Sequence, residues 1–208
     1  LIKIYKKGNG IVKLERNVVS TVGKENKPIA IGETAYEMYE KEPPSIHVSF
    51  PLQHGVIAHM QDMIALWNYM NYSLSGKKKI KGCEYYLAVP ADITEVEKQA
   101  YSQIISRGET KPKKVFLVDK PVANAFGLGL DVEKLRGAMI IDVGADTTEI
   151  SVLSLGGIVV SKLLPSVEMN LICLFDMPER MIGLMLFVSN KKIFRLKRLQ
   201  LQRLLQSV

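Results

Sequence analysis

The sequence predicts an α/β fold with parallel strands, on three observations. Two strand-then-helix units follow one another directly, over residues 85–106 and 114–127. A third apolar strand, residues 138–142, then runs into a turn of small and hydroxyl residues. Strand, helix, strand in succession is how a parallel layer looks in sequence, because a parallel neighbour needs a crossover connection. With 208 residues, 47% of them hydrophobic and 24% charged, the chain can bury one large core or two small ones.

The chain opens as a β-meander. Ile2 and Ile4, then Ile11, Val12 and Leu14, flank Lys7-Gly8-Asn9-Gly10, and Asn-Gly supplies the positive φ angles of a tight hairpin. Strands are expected at 18–22 and 28–31 around a turn at 23–28. A short helix over 33–41 follows, stopped by Pro43-Pro44, and then a loop. Met63, Leu66, Trp67 and Met70 recur at spacings of three and four, which predicts an amphipathic helix over 62–72 with Trp67 in the core. The polar stretch 73–81, with three consecutive lysines, reads as a solvated loop.

Residues 85–89 are β-rich and closed by Pro90, and Thr94 with Glu97 makes a capping box for a helix to about Ser106. Residues 114–118 predict a strand, and Pro121 suits the first turn of the next helix. Ala123, Ala125 and Gly127 give that helix a small-residue face. After the strand at 138–142, residues 149–155 and 158–163 form a hairpin around Gly156-Gly157.

Charge is unevenly spread. Lys191, Lys192, Arg195, Lys197, Arg198 and Arg203 supply six of the formal +7, so residues 1–190 are almost neutral. A nucleic-acid binder displays its basic residues over a folded face, so nucleic acid is not an expected partner. The tail from Lys191 reads as a helix with Ile193, Leu196, Leu201, Leu204 and Leu205 on one side and Arg195, Arg198 and Arg203 on another. It could lie on an anionic membrane surface, but a solvated basic helix is the favoured reading. No apolar run approaches the ~18 uncharged residues of a membrane span, and no basic-then-apolar leader opens the chain. The expected location is the cytoplasm, with association to the membrane surface. Cys83 and Cys173 lack any C-x-x-C spacing and are expected as buried thiols. His47, His54 and His59 lack ligand spacing and partner acids, so no metal centre is expected on them. No Cys-His or Ser-His-Asp arrangement suggests a nucleophile.

The richest stretch is Asp142-Val143-Gly144-Ala145-Asp146-Thr147-Thr148 between two strands. An apolar strand ending in aspartate, then small residues and hydroxyls, then another strand, can hold a polyphosphate. Glycine lets backbone N–H groups close round the oxygens, and threonine hydroxyls add donors. Asp142 can hold magnesium through water. Such a hairpin also serves purely structural ends, and the residues alone leave both readings open.

Residues 139–159, MIIDVGADTTEISVLSLGGIV, resemble the second phosphate loop of the MreB/Mbl family of bacterial actin-like proteins, a D-I-G-G-G-T-T-E strand pair followed by S-L-G-G-I-V. DnaK-type chaperones share only the first half. Gly8 to Val12 is similar to the family's K-G-K-G-I-V hairpin, and Pro51-Leu52-Gln53-His54-Gly55-Val56-Ile57-Ala58 to its R-P-L-K-D-G-V-I-A segment. Thr94-Glu95-Val96-Glu97-Lys98 is similar to its T-E-V-E-R helix start, and residues 115–130 to its V-F-L-I-E-E-P-M-A-A-A-I-G run. The resemblance runs in order over about residues 1–165.

It implies an actin-like (ribonuclease H-like) nucleotide-binding fold, of which the chain would hold the first lobe and the start of the second. ATP and Mg2+ would bind between the lobes, and the ATP form would polymerise into membrane-apposed double filaments that organise cell-wall synthesis. Implied partners are other copies of the protein, cell-wall elongation proteins and the inner membrane surface. Residues 1–20 and 62–134 would form the first-lobe core, 21–61 its small outer subdomain and 135–165 the start of the second-lobe core, with 166–208 an unassigned basic tail. Gly144, Ala145, Asp146, Thr147 and Thr148 would bind the cofactor, Asp142 would hold magnesium through water, and Thr147 is the candidate to position water or phosphate.

The chain departs from the family in four places. The family's first phosphate loop, D-x-G-T-x-N, is expected immediately before Leu1, and residues 166–208 do not resemble its second lobe. The expectation is an incomplete, degenerate copy, weak in nucleotide binding and in pelleting. The family's catalytic glutamate precedes the proline of E-E-P-M-A, and that position here is Lys120. Ammonium attracts phosphate but cannot take a proton from water. Asp119 does not replace it, since adjacent residues of an extended segment point oppositely. The third glycine of the loop is Asp146, whose carboxylate would meet phosphate with like charge at a cost of about 1 kcal/mol or more in a partly desolvated site. Hydrolysis is therefore expected to be lost and no residue is assigned a catalytic role; a purely structural reading instead expects Lys120 and Asp146 to pair across an empty site. The alternative function is a DnaK-like or sugar-kinase-like ATPase using the same hairpin.

Overall fold

A computed structural model of the chain describes residues 1–23, 26–76, 80–134, 137–165, 184–189 and 192–196. The chain packs as two units, one of residues 1–87 and 94–117, the other of residues 88–93 and 118–208.

The first unit begins with the expected hairpin, β1 (Ile2–Lys6) against β2 (Gly10–Glu15), with Gly8 and Gly10 at positive φ. β3 (Val19–Val22) is the centre of a three-stranded antiparallel sheet, between β4 (Lys27–Ile31) and β5 (Ile46–Ser49). The helix expected over 33–41 is only α1 (Glu33–Tyr36). Met38, Tyr39 and Lys41 bond three residues back rather than four, and Glu40 at φ 63 ends the run. The segment expected as a loop holds β5 and the two-residue pair β6 (Leu52–Gln53) and β7 (Val56–Ile57).

α2 (Met60–Ser75) is longer than its apolar stripe, because no breaker occurs before Gly76, which caps it in the left-handed conformation with its N–H on Tyr72 O at 2.8 Å. Leu66 and Met70 are fully buried, and Trp67 sits edge-on to Tyr85 with Nε1–H donated to Thr110 Oγ1. Trp67 is thus half-buried at the edge of the core, with its one polar atom satisfied. β8 (Glu84–Val89) pairs with β9 (Lys114–Asp119), and the bridge leading into the pair, Lys81–Lys111, is parallel. α3 (Glu95–Arg107) crosses between them, started by the predicted capping box: Glu97 N–H donates to Thr94 Oγ1 and Thr94 N–H to Glu97 Oε2. Cys83 is exposed, not buried as expected, because it precedes β8 on the surface.

The second unit is built on a five-stranded sheet in the order β12-β11-β10-β13-β14. β10 (Ala138–Val143) is an almost unbroken buried apolar run, antiparallel to β11 (Thr147–Ser154) and parallel to β13 (Leu184–Ser189). A strand apolar on both faces belongs in the middle of a sheet. β12 (Gly157–Pro165) returns alongside β11, and β14 (Lys192–Leu196) pairs antiparallel with β13. The helix expected from Lys191 is therefore a strand over 192–196; its remaining positions lie outside the described residues. α4 (Lys120–Gly127) packs on β10, β11 and β12, with Ala125, Val132, Ile140 and Leu153 at the centre of the core.

Candidate phosphate site

The β10–β11 hairpin closes more tightly than its sequence suggests. Asp142 pairs with Glu149 and Val143 with Thr148, and Gly144 N–H donates to Thr147 O at 2.9 Å. Only Ala145 and Asp146 remain at the tip, both exposed. Glycine at 144 is required by space: an added Cβ would lie 2.8 Å from Thr147 O, a backbone atom that cannot step aside without opening the turn. Thr147 is half-buried and can present its hydroxyl near the tip, whereas Thr148 is buried within the sheet.

Lys120 opens α4, where a positive charge meets the positive end of the helix dipole. Its Nζ lies 2.8 Å from Asp142 Oδ2, and Asn124 Nδ2, one turn further along the helix, donates to the same oxygen at 3.0 Å. The expected partner, Asp146, is not the one Lys120 takes. The reason is burial: Asp142 lies under α4 with its side chain 17% exposed, where pairing offsets desolvation, whereas Asp146 stands in solvent, where a pair gains little.

Directly across the strand pair from Asp142 is Glu149, 2% exposed. Its Oε1 accepts Ala91 N–H at 2.8 Å and Ser161 Oγ at 3.3 Å, and its buried Oε2 has no hydrogen-bond partner. Burial pushes its carboxyl above the ordinary range, and the Asp142 charge pushes the same way. The Ala91 N–H, the Lys120 ammonium and the Ser161 hydroxyl oppose the shift. A carboxyl raised on folding holds its proton more tightly folded than unfolded. Its stabilising contribution is therefore present at low pH and is lost as pH rises from the ordinary carboxylate range through the raised value. Glu149→Gln should flatten this fall, raising the melting temperature more above that window than below it. Melting curves of both proteins on either side of the window check this; an unchanged difference between the two pH values would mean that folding does not raise the Glu149 carboxyl.

The donor set does not fit magnesium. Oδ2 of Asp142 is already held by an ammonium and an amide. A dication bridged to it through water would stand within about 5 Å of the Lys120 charge. Among the described residues, no group of three or more His, Cys, Asp or Glu side chains could hold a metal ion.

The fold thus brings together Asp142, Gly144, Ala145, Asp146 and Thr147 at one hairpin end, with Lys120 against its base, and leaves Thr148 inside. Two members were missed from sequence. Glu149 follows from hairpin arithmetic, since a two-residue tip at 145–146 sets 142 opposite 149. Asn124 follows from the i, i+4 spacing to Lys120 on one helix face. No described helix is long and apolar enough to cross a membrane.

Residues 1–168 match the family model described as MreB/Mbl protein. The chain is 35% identical over 160 residues to cell shape-determining protein Mbl of Bacillus cereus, covering 77% of this chain and 47% of the relative. It is 33% identical over 165 residues to cell shape-determining protein MreB of Escherichia coli, covering 76% and 46%. It spans about half the length of these relatives. Among solved structures, MreB5 of Spiroplasma citri bound to AMPPNP superposes with a TM-score of 0.69 at 31% identity, over 77% of this chain and 48% of that one. The MamK double helical filament gives 0.59 at 20% identity over 76% and 49%, a likeness of fold alone. The fold is the actin-like one expected, and the chain belongs to the MreB/Mbl family.

Proposed function

We propose that this chain acts as part of an actin-like, cell-shape-type cytoskeletal protein whose hairpin at 142–149 holds the phosphates of ATP without hydrolysing it. The observation that carries the reading is the turn itself. Gly144 is forced to lack a side chain, the tip is open to solvent, and Thr147 stands beside it, at the end of a strand that closes with Asp142 and Val143. The MreB5 structures bound to ADP and to AMPPNP support nucleotide as the ligand, and membership of the MreB/Mbl family supports self-association.

Loss of hydrolysis follows from Lys120. An ammonium has no lone pair with which to take a proton from water, and Lys120 is engaged with Asp142 at 2.8 Å. Family membership removes the footing of a chaperone-like or sugar-kinase-like ATPase. Cell-wall elongation proteins, the inner membrane surface and a cytoplasmic location belong to the same proposal as properties of the whole family protein.

Sedimentation tests the reading. Mixed with a complete MreB/Mbl-family protein and ATP, the full 208-residue chain should enter the pellet together with the filaments, and phosphate release should not rise above that of the complete protein alone. A chain that stays in the supernatant at every nucleotide condition, or that turns over ATP by itself, contradicts it.

A further inference from the structure

We propose that Lys120 stands in for the divalent cation as the counter-charge of this site, so that the hairpin takes polyphosphate free of magnesium and magnesium opposes its binding. The inference rests on the reading of the hairpin as a phosphate cradle.

Three features of the second unit carry it. The ammonium and the Asn124 amide converge on one oxygen of Asp142 from a single helix, and that helix is anchored by buried Pro121 and Ala125, so both donors are held in place together. The carboxylate opposite Asp142 across the strand pair offers no alternative ligand. Glu149 turns one oxygen to Ala91 N–H and keeps the other closed off from solvent. Finally, an ammonium has three N–H donors, and Lys120 keeps 29% of its side chain exposed while paired, which leaves donor capacity for a phosphate oxygen.

A divalent cation would have to displace Lys120 to reach Oδ2 of Asp142. A polyphosphate already neutralised by magnesium would bring less negative charge to the ammonium than the free anion does. Magnesium therefore weakens the attraction at both ends.

The test uses the full chain, 15N-labelled, with inorganic tripolyphosphate and a chelator at neutral pH, followed by excess magnesium. Tripolyphosphate alone should shift the amides of residues 143–148, and magnesium should weaken the apparent affinity about fivefold or more. Lys120→Glu should reverse the order, and Lys120→Gln, which adds no new carboxylate, should abolish the penalty. In a separate arm, manganese without phosphate should leave the line widths of residues 142–148 unchanged in the natural chain and broaden them in Lys120→Glu. Manganese broadening of the natural chain, or tighter tripolyphosphate binding with magnesium, overturns the substitution of lysine for metal. Absence of any tripolyphosphate shift in either condition overturns the cradle reading itself, and the manganese arm then still decides whether the ion pair excludes a dication.

Discussion

Leu153→Ala is expected to destabilise the second unit by about 3 kcal/mol, the largest effect of any single truncation near the site. Leu153 is fully buried in β11 and packs with Ala125 of α4, Ile140 of β10 and Val132, with Val122, Leu128, Leu130 and Ile158 around them. These residues come from both sides of the hairpin and from the helix that carries Lys120. A cavity here therefore loosens the helix from the sheet as well as losing transfer free energy. Because the chain packs as two units, a global unfolding curve does not say which unit has lost stability. Native-state hydrogen exchange on the buried amides of β10 and β11 is the appropriate one. Their protection should fall by about two orders of magnitude, as 1.4 kcal/mol is a factor of ten, while α2 in the first unit keeps its protection. A uniform loss across both units would contradict the packing described.

Gly144→Ala should cost about 1–3 kcal/mol and remove phosphate binding together with the turn. The new Cβ would sit 2.8 Å from Thr147 O, the atom that accepts the Gly144 N–H, so relief of the clash breaks the hydrogen bond that closes the tip. Gly127→Ala is the control: nothing lies within 4 Å of a Cβ there, and alanine favours the helix it ends. Melting temperature and saturable ATP binding should both drop for Gly144→Ala, and neither should drop for Gly127→Ala. Retained binding in Gly144→Ala would mean that the turn is structural only.

Much of the fold was legible because local chemistry and tertiary structure agree. Gly8 and Gly10, not Asn9, take the positive φ angles of the first hairpin, the Thr94–Glu97 box starts α3, and the apolar run before Asp142 is the central strand. The resemblance reached the actin-like fold from the hairpin at 142–159 and from matches spread over residues 1–165, and the superposition on MreB5 agrees.

Where sequence failed, a competing force decided. β6 and β7 are two residues each, too short for any periodicity to register, and β5 lies between prolines that suggest a loop. Lys192–Leu196 has an apolar spacing compatible with a helix, yet it pairs with β13, so the sheet edge overrides local propensity. At the site, the residue types were legible and one pairing was not. Lys120 had two aspartates to choose from, and the choice depends on how far α4 buries each, which no spacing reports.

Hydrogen exchange of the amides at residues 144–148, with and without ATP in the presence of a chelator, tests most directly whether this hairpin grips a nucleotide tail. Slowed exchange concentrated in that segment, and lost in Gly144→Ala, is the predicted result. ATP binding that protects other segments and leaves these amides unchanged would contradict it.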